Sequence, residues 1–446
     1  MRKCNMLFAS ALLATGLTAQ AASAGISIPG ITGPSFALVA KQDHVSTPEG
    51  GSYLLWGYAQ PGKRAQYPGP TMIVNEGDTV TVTLTNALPS STGQNASITF
   101  FGIEGVTAAC ATPSDCVDGP ITKEAKAYKT VAYTFVASRP GTFLYSSASN
   151  PALQTEMGLF GALIVRPAGF DEMDDAMRTA YGGADSAYDH EYLFLLSDMD
   201  PRIHEVVELQ GVGALQATDY LTDYFPNYWF INGRNAPDTM AADFVSRLPT
   251  QPYSCMPRMH PGEKLLMRVL DAGHDLHPFH HHGNHARVIA RDGFPLQSTP
   301  GASPIDLSFE GFTVEAVPGQ TTDAIFTWTG KDLGWDIYGD EASGFSHTCD
   351  GDYDPVTKEY CKDHYKRFPV TLPEQQNLDF GAFWSGSPFL GMMGTLPPGF
   401  GTMNMTGGYT YMWHSHNEKE MTNYDVFPGG MMTMLIIEAP GTPITM

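Results

Sequence analysis

Six of the chain's fourteen histidines fall between His274 and Asp292. The core of the stretch is His277-Pro-Phe-His280-His281-His282-Gly283, followed by the apolar run Val288-Ile289-Ala290. This pattern predicts a β-strand entered from a proline turn. Successive side chains on a strand point to opposite faces, so His280 and His282 share one face and His281 takes the other. Two imidazoles on one face, with a third just upstream at His277, suit a transition metal; imidazole binds copper, zinc, iron and nickel. A second pair, His414 and His416, closes the strand-like run Tyr409-Thr-Tyr-Met-Trp413. Nine methionines lie between residues 391 and 434. Thioethers are soft ligands that favour Cu(I). Core filling accounts for Met431, Met432 and Met434, whereas Met392, Met393, Met403 and Met405 sit in a Gly/Pro-rich stretch and are candidates for collecting copper.

The histidine stretch resembles the His-Pro-x-His-x-His signature of the multicopper oxidases, the superfamily of laccases and related copper-dependent oxidases built from cupredoxin domains. The resemblance implies copper as cofactor, with His277 at the blue (type 1) site and His280 and His282 at the trinuclear cluster. Tyr67 to Asn86 resembles the opening of the family's first domain. Tyr228 to Arg234, with Pro237-Asp238, resembles the opening of a further cupredoxin domain. His414-Ser415-His416 and the closing run Pro428 to Glu438 resemble the last, His-Cys-His motif. The departures are as informative. Thr99-Phe100-Phe101-Gly102 stands where the family has His-Trp-His-Gly, and Ser146-Ser147-Ala148 where it has His-Ser-His. Ser415 replaces the cysteine, whose thiolate defines a blue copper site. Glu420 aligns with the later histidine and Asp425 with the methionine. The metal positions that remain are His277, His280, His282, His414 and His416. This set implies an oxidoreductase with neither a standard type 1 nor a standard trinuclear site. Copper binding without catalysis, for sequestration or delivery, and a structural or partner-binding module with a relic site are the alternatives.

Residues 1–24 read as a secretory signal: Arg2 and Lys3, then an apolar stretch, then Ala22-Ser23-Ala24. The expectation is an exported protein, periplasmic or secreted, without a membrane span. The formal charge is −22, and loss of Arg2 and Lys3 takes it to −24. So acidic a chain argues against nucleic acid as a partner and fits a small-molecule or metal-ion substrate. Self-association into a homo-oligomer stays open. In an oxidising compartment Cys110–Cys116 and Cys349–Cys361 read as local disulfides, which leaves Cys255 as a buried thiol or a metal ligand.

Recurrent Val/Thr/Ile runs and scarce amphipathic helices predict an all-β chain with sandwich domains, and the resemblance implies two cupredoxin-like Greek-key β-sandwich domains. The expected boundaries are 25–167 and 191–440. A connector at 168–190 joins them, with a short helix at Asp171–Ala180, and the second domain carries a loop insertion at about 331–400.

Overall fold

The computed structural model describes residues 27–301, 304–331, 347–362, 387–388, 409–438 and 442–444. The signal segment, most of the insertion and Met392 to Met405 lie outside the described residues. The chain is built from strands, as the alternating patterns predict. Two five-stranded sheets use strands between residues 31 and 166, and two larger sheets use strands between 190 and 437.

In the first pair, Thr79–Asn86 shows how sequence sets packing. Val80, Val82 and Leu84 are buried, while the intervening threonines face outward and pair with Thr130 and Thr134 of the next strand. Trp56, Tyr133, Phe143 and Leu163 fill the space between the two sheets. In the second pair, Phe194, Met267, Phe279, Phe326, Trp413 and Leu435 do the same.

A third apolar layer joins the pairs. Ala162 and Ile164 of Phe160–Arg166 pack with Leu193 and Leu195 of His190–Met199, while their neighbours Leu163 and Phe194 belong to the two sandwich cores. Both strands are buried on both faces, which explains why they read as continuous apolar runs rather than alternating ones.

The helix expected at Asp171–Ala180 does not form. The segment makes turns, because Asp171 accepts from the amide of Met173 and Asp174 from that of Ala176, each at 2.9 Å. Such local bonds compete with the helical ladder. The principal helix is Pro201–Gln210, capped by the Asp200 carboxylate at the amide of Arg202 (3.0 Å) and ended by Gly211 at φ 85°. It buries Ile203 and Val207 in the N-terminal core. Both local disulfides are present, and Cys255 is a buried free thiol whose hydrogen bonds go to the carbonyls of Ile231 and Thr239.

The seam also holds a buried charge network. Arg166 pairs with Glu191 through both carboxylate oxygens, and Arg268 Nε donates to Glu191 at 2.9 Å. Arg268 also donates to Thr142, which donates to Asp323 (2.6 Å). Burial alone would raise the pKa of Glu191, but the two guanidinium charges outweigh it and hold the group at about 2. A carboxylate with a depressed folded pKa stabilises the fold above its unfolded value and loses that contribution as the pH falls. Glu191→Gln is therefore expected to destabilise the chain at pH 7 by about 3–5 kcal/mol, the typical cost of breaking a buried pair. In urea melts, the gap to wild type should narrow as the pH drops from about 4.5 toward 2. A gap that is constant with pH would contradict this account.

Candidate metal centre

One strand pairing assembles the histidines. His277–His281 runs antiparallel to Tyr409–Ser415 with Phe279 opposite Ser415, His280 opposite His414, and His281 opposite Trp413. Directly opposed residues share a face and lie close enough to touch. His280 and His414 therefore point to the outer side, and Phe279, Trp413 and Ser415 point inward. The chain continues both lines: the amide of His282 lies 3.3 Å from the carbonyl of Met412, and that of His416 bonds Pro278 at 2.8 Å. Imidazoles more than a hundred residues apart in sequence thus become neighbours.

His280, His282 and His414 offer nitrogens that all lie within 4.8 Å of one another. His282 Nε2 and His414 Nε2 are 3.0 Å apart. His414 Nδ1 donates to the carbonyl of Ser415 (2.6 Å), which leaves Nε2 with its lone pair toward the group. His280 is anchored through Nδ1 at 3.0 Å from the Thr313 hydroxyl. Outer hydrogen bonds of this kind fix the ring orientation of ligating histidines. His416 is the exposed member, its ring 4.8 Å from that of His280 and stacked on His414 at 5.9 Å. Burial lowers the pKa of His282 to about 3, reinforced by the neighbouring rings, and burial lowers that of His414 too. Neutral imidazoles held at this spacing are a fitting donor set for copper. His281 faces the core, packed against Trp413 and Phe326, with a ring nitrogen 3.0 Å from the carbonyl of Gly311.

His277 lies apart from this group. It is fully buried, with Nδ1 3.0 Å from Glu420 and Nε2 3.5 Å from Asp198. Burial would lower its pKa, but Asp198 and Glu420 raise it well above the ordinary value, so an imidazolium sits between carboxylates. Ser415 donates its hydroxyl to the same Glu420 oxygen, and Asn417 donates to the other at 2.9 Å. A neighbouring acid, Asp271, is pushed by burial up to about 8. The three positions that the resemblance aligns with type 1 ligands, His277, Ser415 and Glu420, thus meet in space, but as an ion pair with a hydroxyl donor.

In the N-terminal half, Thr99 pairs with Ser146 across a strand, Ala148 is buried and Phe101 is partly exposed. Ser147 donates to Gln154 at 2.6 Å. Thr99, Ser146, Ala148 and Phe101 hold hydroxyl, methyl and phenyl groups where the resemblance implies imidazoles. Sequence reasoning assigned no role to Asp198, which no motif flags, and treated Glu420 only as a lost ligand.

Residues 58–169 match the multicopper oxidase domain family. The L-ascorbate oxidase of Cucurbita pepo var. melopepo is 32% identical over 192 residues, 42% of this chain and 30% of that enzyme. "Multicopper oxidase MCE" of Talaromyces pinophilus is 35% identical over 105 residues, 23% of this chain and 15% of that protein. Over that part of its length the chain is related to the multicopper oxidases. Its matches span under a third of the length of these curated relatives. Two solved copper oxidases share the fold, each with a TM-score of 0.53 at 19% identity. The structure of multicopper oxidase mgLAC covers 92% of this chain and 87% of its own. The blue copper oxidase from Nitrosomonas europaea covers 90% and 85%.

Within the superfamily, a blue site needs two imidazoles beside the thiolate, and here Glu420 stands for one and engages the other. Ser415→Cys alone is therefore expected to yield protein without an intense blue absorption band after copper loading. A blue single variant, seen by visible spectroscopy, would show that His277 leaves Glu420 for a metal.

Proposed function

We propose that this chain is an exported copper protein that carries one mononuclear copper centre on His280, His282 and His414, with His416 at its rim. We read it as a copper-dependent oxidoreductase acting on a small molecule or metal ion. Its organisation in this reading is two cupredoxin-like domains, 25–167 and 191–440, joined by the segment 168–190. The observation that carries the proposal is the trihistidine cluster itself, three converging imidazoles of which two are kept neutral by burial.

Copper bound there would supply one-electron redox chemistry and a Lewis-acidic position. The protein's part is to orient the donors through Thr313 and the Ser415 carbonyl, and to present His416 toward solvent. The exposed side of the cluster is where a substrate would approach. Among the described residues no helix is long and apolar enough to cross a membrane. The absence of a thiolate and the pairing of His277 with Glu420 favour a second reading, in which copper is bound and carried without turnover. Oxygen consumption with a reducing substrate separates the two.

Protein reconstituted with Cu(I) and then oxidised should contain one copper per chain and give a mononuclear paramagnetic resonance signal without the narrow hyperfine pattern of a blue site. His282→Ala/His414→Ala should abolish it. A coupled multi-copper signal, or full retention of copper by the double variant, would overturn the assignment. Because protons compete with metal for imidazole, and His282 and His414 resist protonation, the affinity should change by no more than about tenfold per pH unit between about pH 7 and 5. A steeper slope, measured by competition with a chelator, would mean that the buried rings titrate normally.

A further inference from the structure

At the seam between the two sandwiches, Glu156, Asp198 and His274 converge. Each offers one atom within 4.8 Å of the other two. His274 Nδ1 stands 3.5 Å from Glu156 Oε2 and 3.7 Å from Asp198 Oδ1. These separations are long for hydrogen bonds, which lie at about 2.7–3.2 Å. They match donors around a first-row ion, since ligands at about 2.1 Å in a tetrahedron are roughly 3.4 Å apart. Both acids are almost fully buried.

Asp198 accepts from the amides of His274 and Asp275 and faces His277, and Glu156 accepts from the amide of Asp200 at 2.7 Å. Burial, with the two acids, raises the pKa of Tyr224, so its hydroxyl stays protonated. That hydroxyl lies 2.7 Å from Asp198 Oδ1 and 2.9 Å from Glu156 Oε2, so one hydrogen serves two anionic oxygens. A second, independent observation comes from the far side of Glu156. His204 is fully buried, and its Nδ1 donates to the carbonyl of Leu54 at 2.6 Å. Its Nε2 has no hydrogen-bond partner among the described residues and faces Glu156 Oε1 at 3.4 Å. A buried polar atom left without a hydrogen bond is a common mark of a bound ion or water.

We propose that Glu156, Asp198 and His274 form a second metal site, separate from the trihistidine centre, for a divalent first-row cation with mixed oxygen and nitrogen coordination, such as Zn²⁺. Two carboxylates and one imidazole make a harder donor set than three imidazoles, so the site favours Zn²⁺ or Mn²⁺ over Cu(I). Tyr224 closes the fourth side, and the partly exposed His274 gives the ion its way in. The competitor is the proton. Burial lowers the pKa of His274 while Asp198 and Glu156 raise it, to about 9 overall, so the ion must displace the imidazole proton.

The experiment uses the full chain with His282→Ala/His414→Ala, which silences the trihistidine cluster and makes the result independent of that assignment. After chelation and dialysis, calorimetric titration with Zn²⁺ is expected to show one equivalent, and Co²⁺ is expected to give visible d–d bands. Adding His274→Gln, a change at a partly exposed loop position, should weaken Zn²⁺ binding at least tenfold and abolish the Zn²⁺-induced rise in melting temperature. Tyr224→Phe keeps the ring and is expected to alter the Co²⁺ spectrum. Absence of a bound equivalent, or Zn²⁺ binding unaffected by His274→Gln, would overturn the proposal.

Discussion

The cross-strand register of His277–His281 with Tyr409–Ser415 is the constraint on which the rest of the site depends. Because strand side chains alternate, a slip of one residue would exchange the two faces. His280, His282, His414 and His416 would then enter the core, and Phe279, Trp413 and Ser415 would leave it. The cost of that exchange is the burial of two large aromatic side chains, each about 150–250 Å². Phe279 and Trp413 thus hold the register, and the outer imidazoles inherit their positions from it. The same parity divides the histidine motif into two chemistries. Its even positions, His280 and His282, join the outer cluster, and His277, at an odd position, is drawn into an inner charged network.

That inner network extends to the seam, where the two pairs of sheets share an apolar layer and the Arg166–Glu191–Arg268 pairing. Asp198 is the connecting residue. One of its oxygens faces His277 and the other belongs to the cluster with Glu156 and His274. Two sandwiches that merely leaned on one another would not hold such groups out of water. Strands buried on both faces supply the dry environment in which an unpaired charge is costly, and Glu191 is accordingly paired with both Arg166 and Arg268.

Much of this was legible in the sequence because it was written locally. Period-two alternation gave the strands, the spacing of His277, His280 and His282 marked the histidine strand, and short cysteine separations marked the disulfides. The helix Pro201–Gln210 carried readable signals, an Asp-Pro start and a glycine stop, that were overlooked amid the strands. The expected helix at Asp171–Ala180 failed because its own aspartates bind nearby amides. The cluster of Glu156, Asp198 and His274 was illegible for a different reason. Its members come from separate strands and loops, with Asp198 and His274 76 residues apart, and no single one stands in a recognisable spacing. Only the packing of one sandwich on the other brings them together.

The substitutions at Ser415 and Glu420 make physical sense only as a pair. Glutamate introduced beside an intact Cys and His would place a carboxylate against a thiolate in a buried pocket, which both charges would resist. Serine at 415 turns that conflict into a hydrogen bond, with the hydroxyl donating to Glu420. The carboxylate then needs a cation, and His277 supplies it. The result is a closed set of partners around Glu420. The outer cluster shows the opposite logic. Burial and the neighbouring rings penalise protonation of His282, burial penalises that of His414, and their nitrogens converge with those of His280. One half of the motif has been neutralised by an acid, while the other remains a set of donors whose natural complement is a soft or borderline cation.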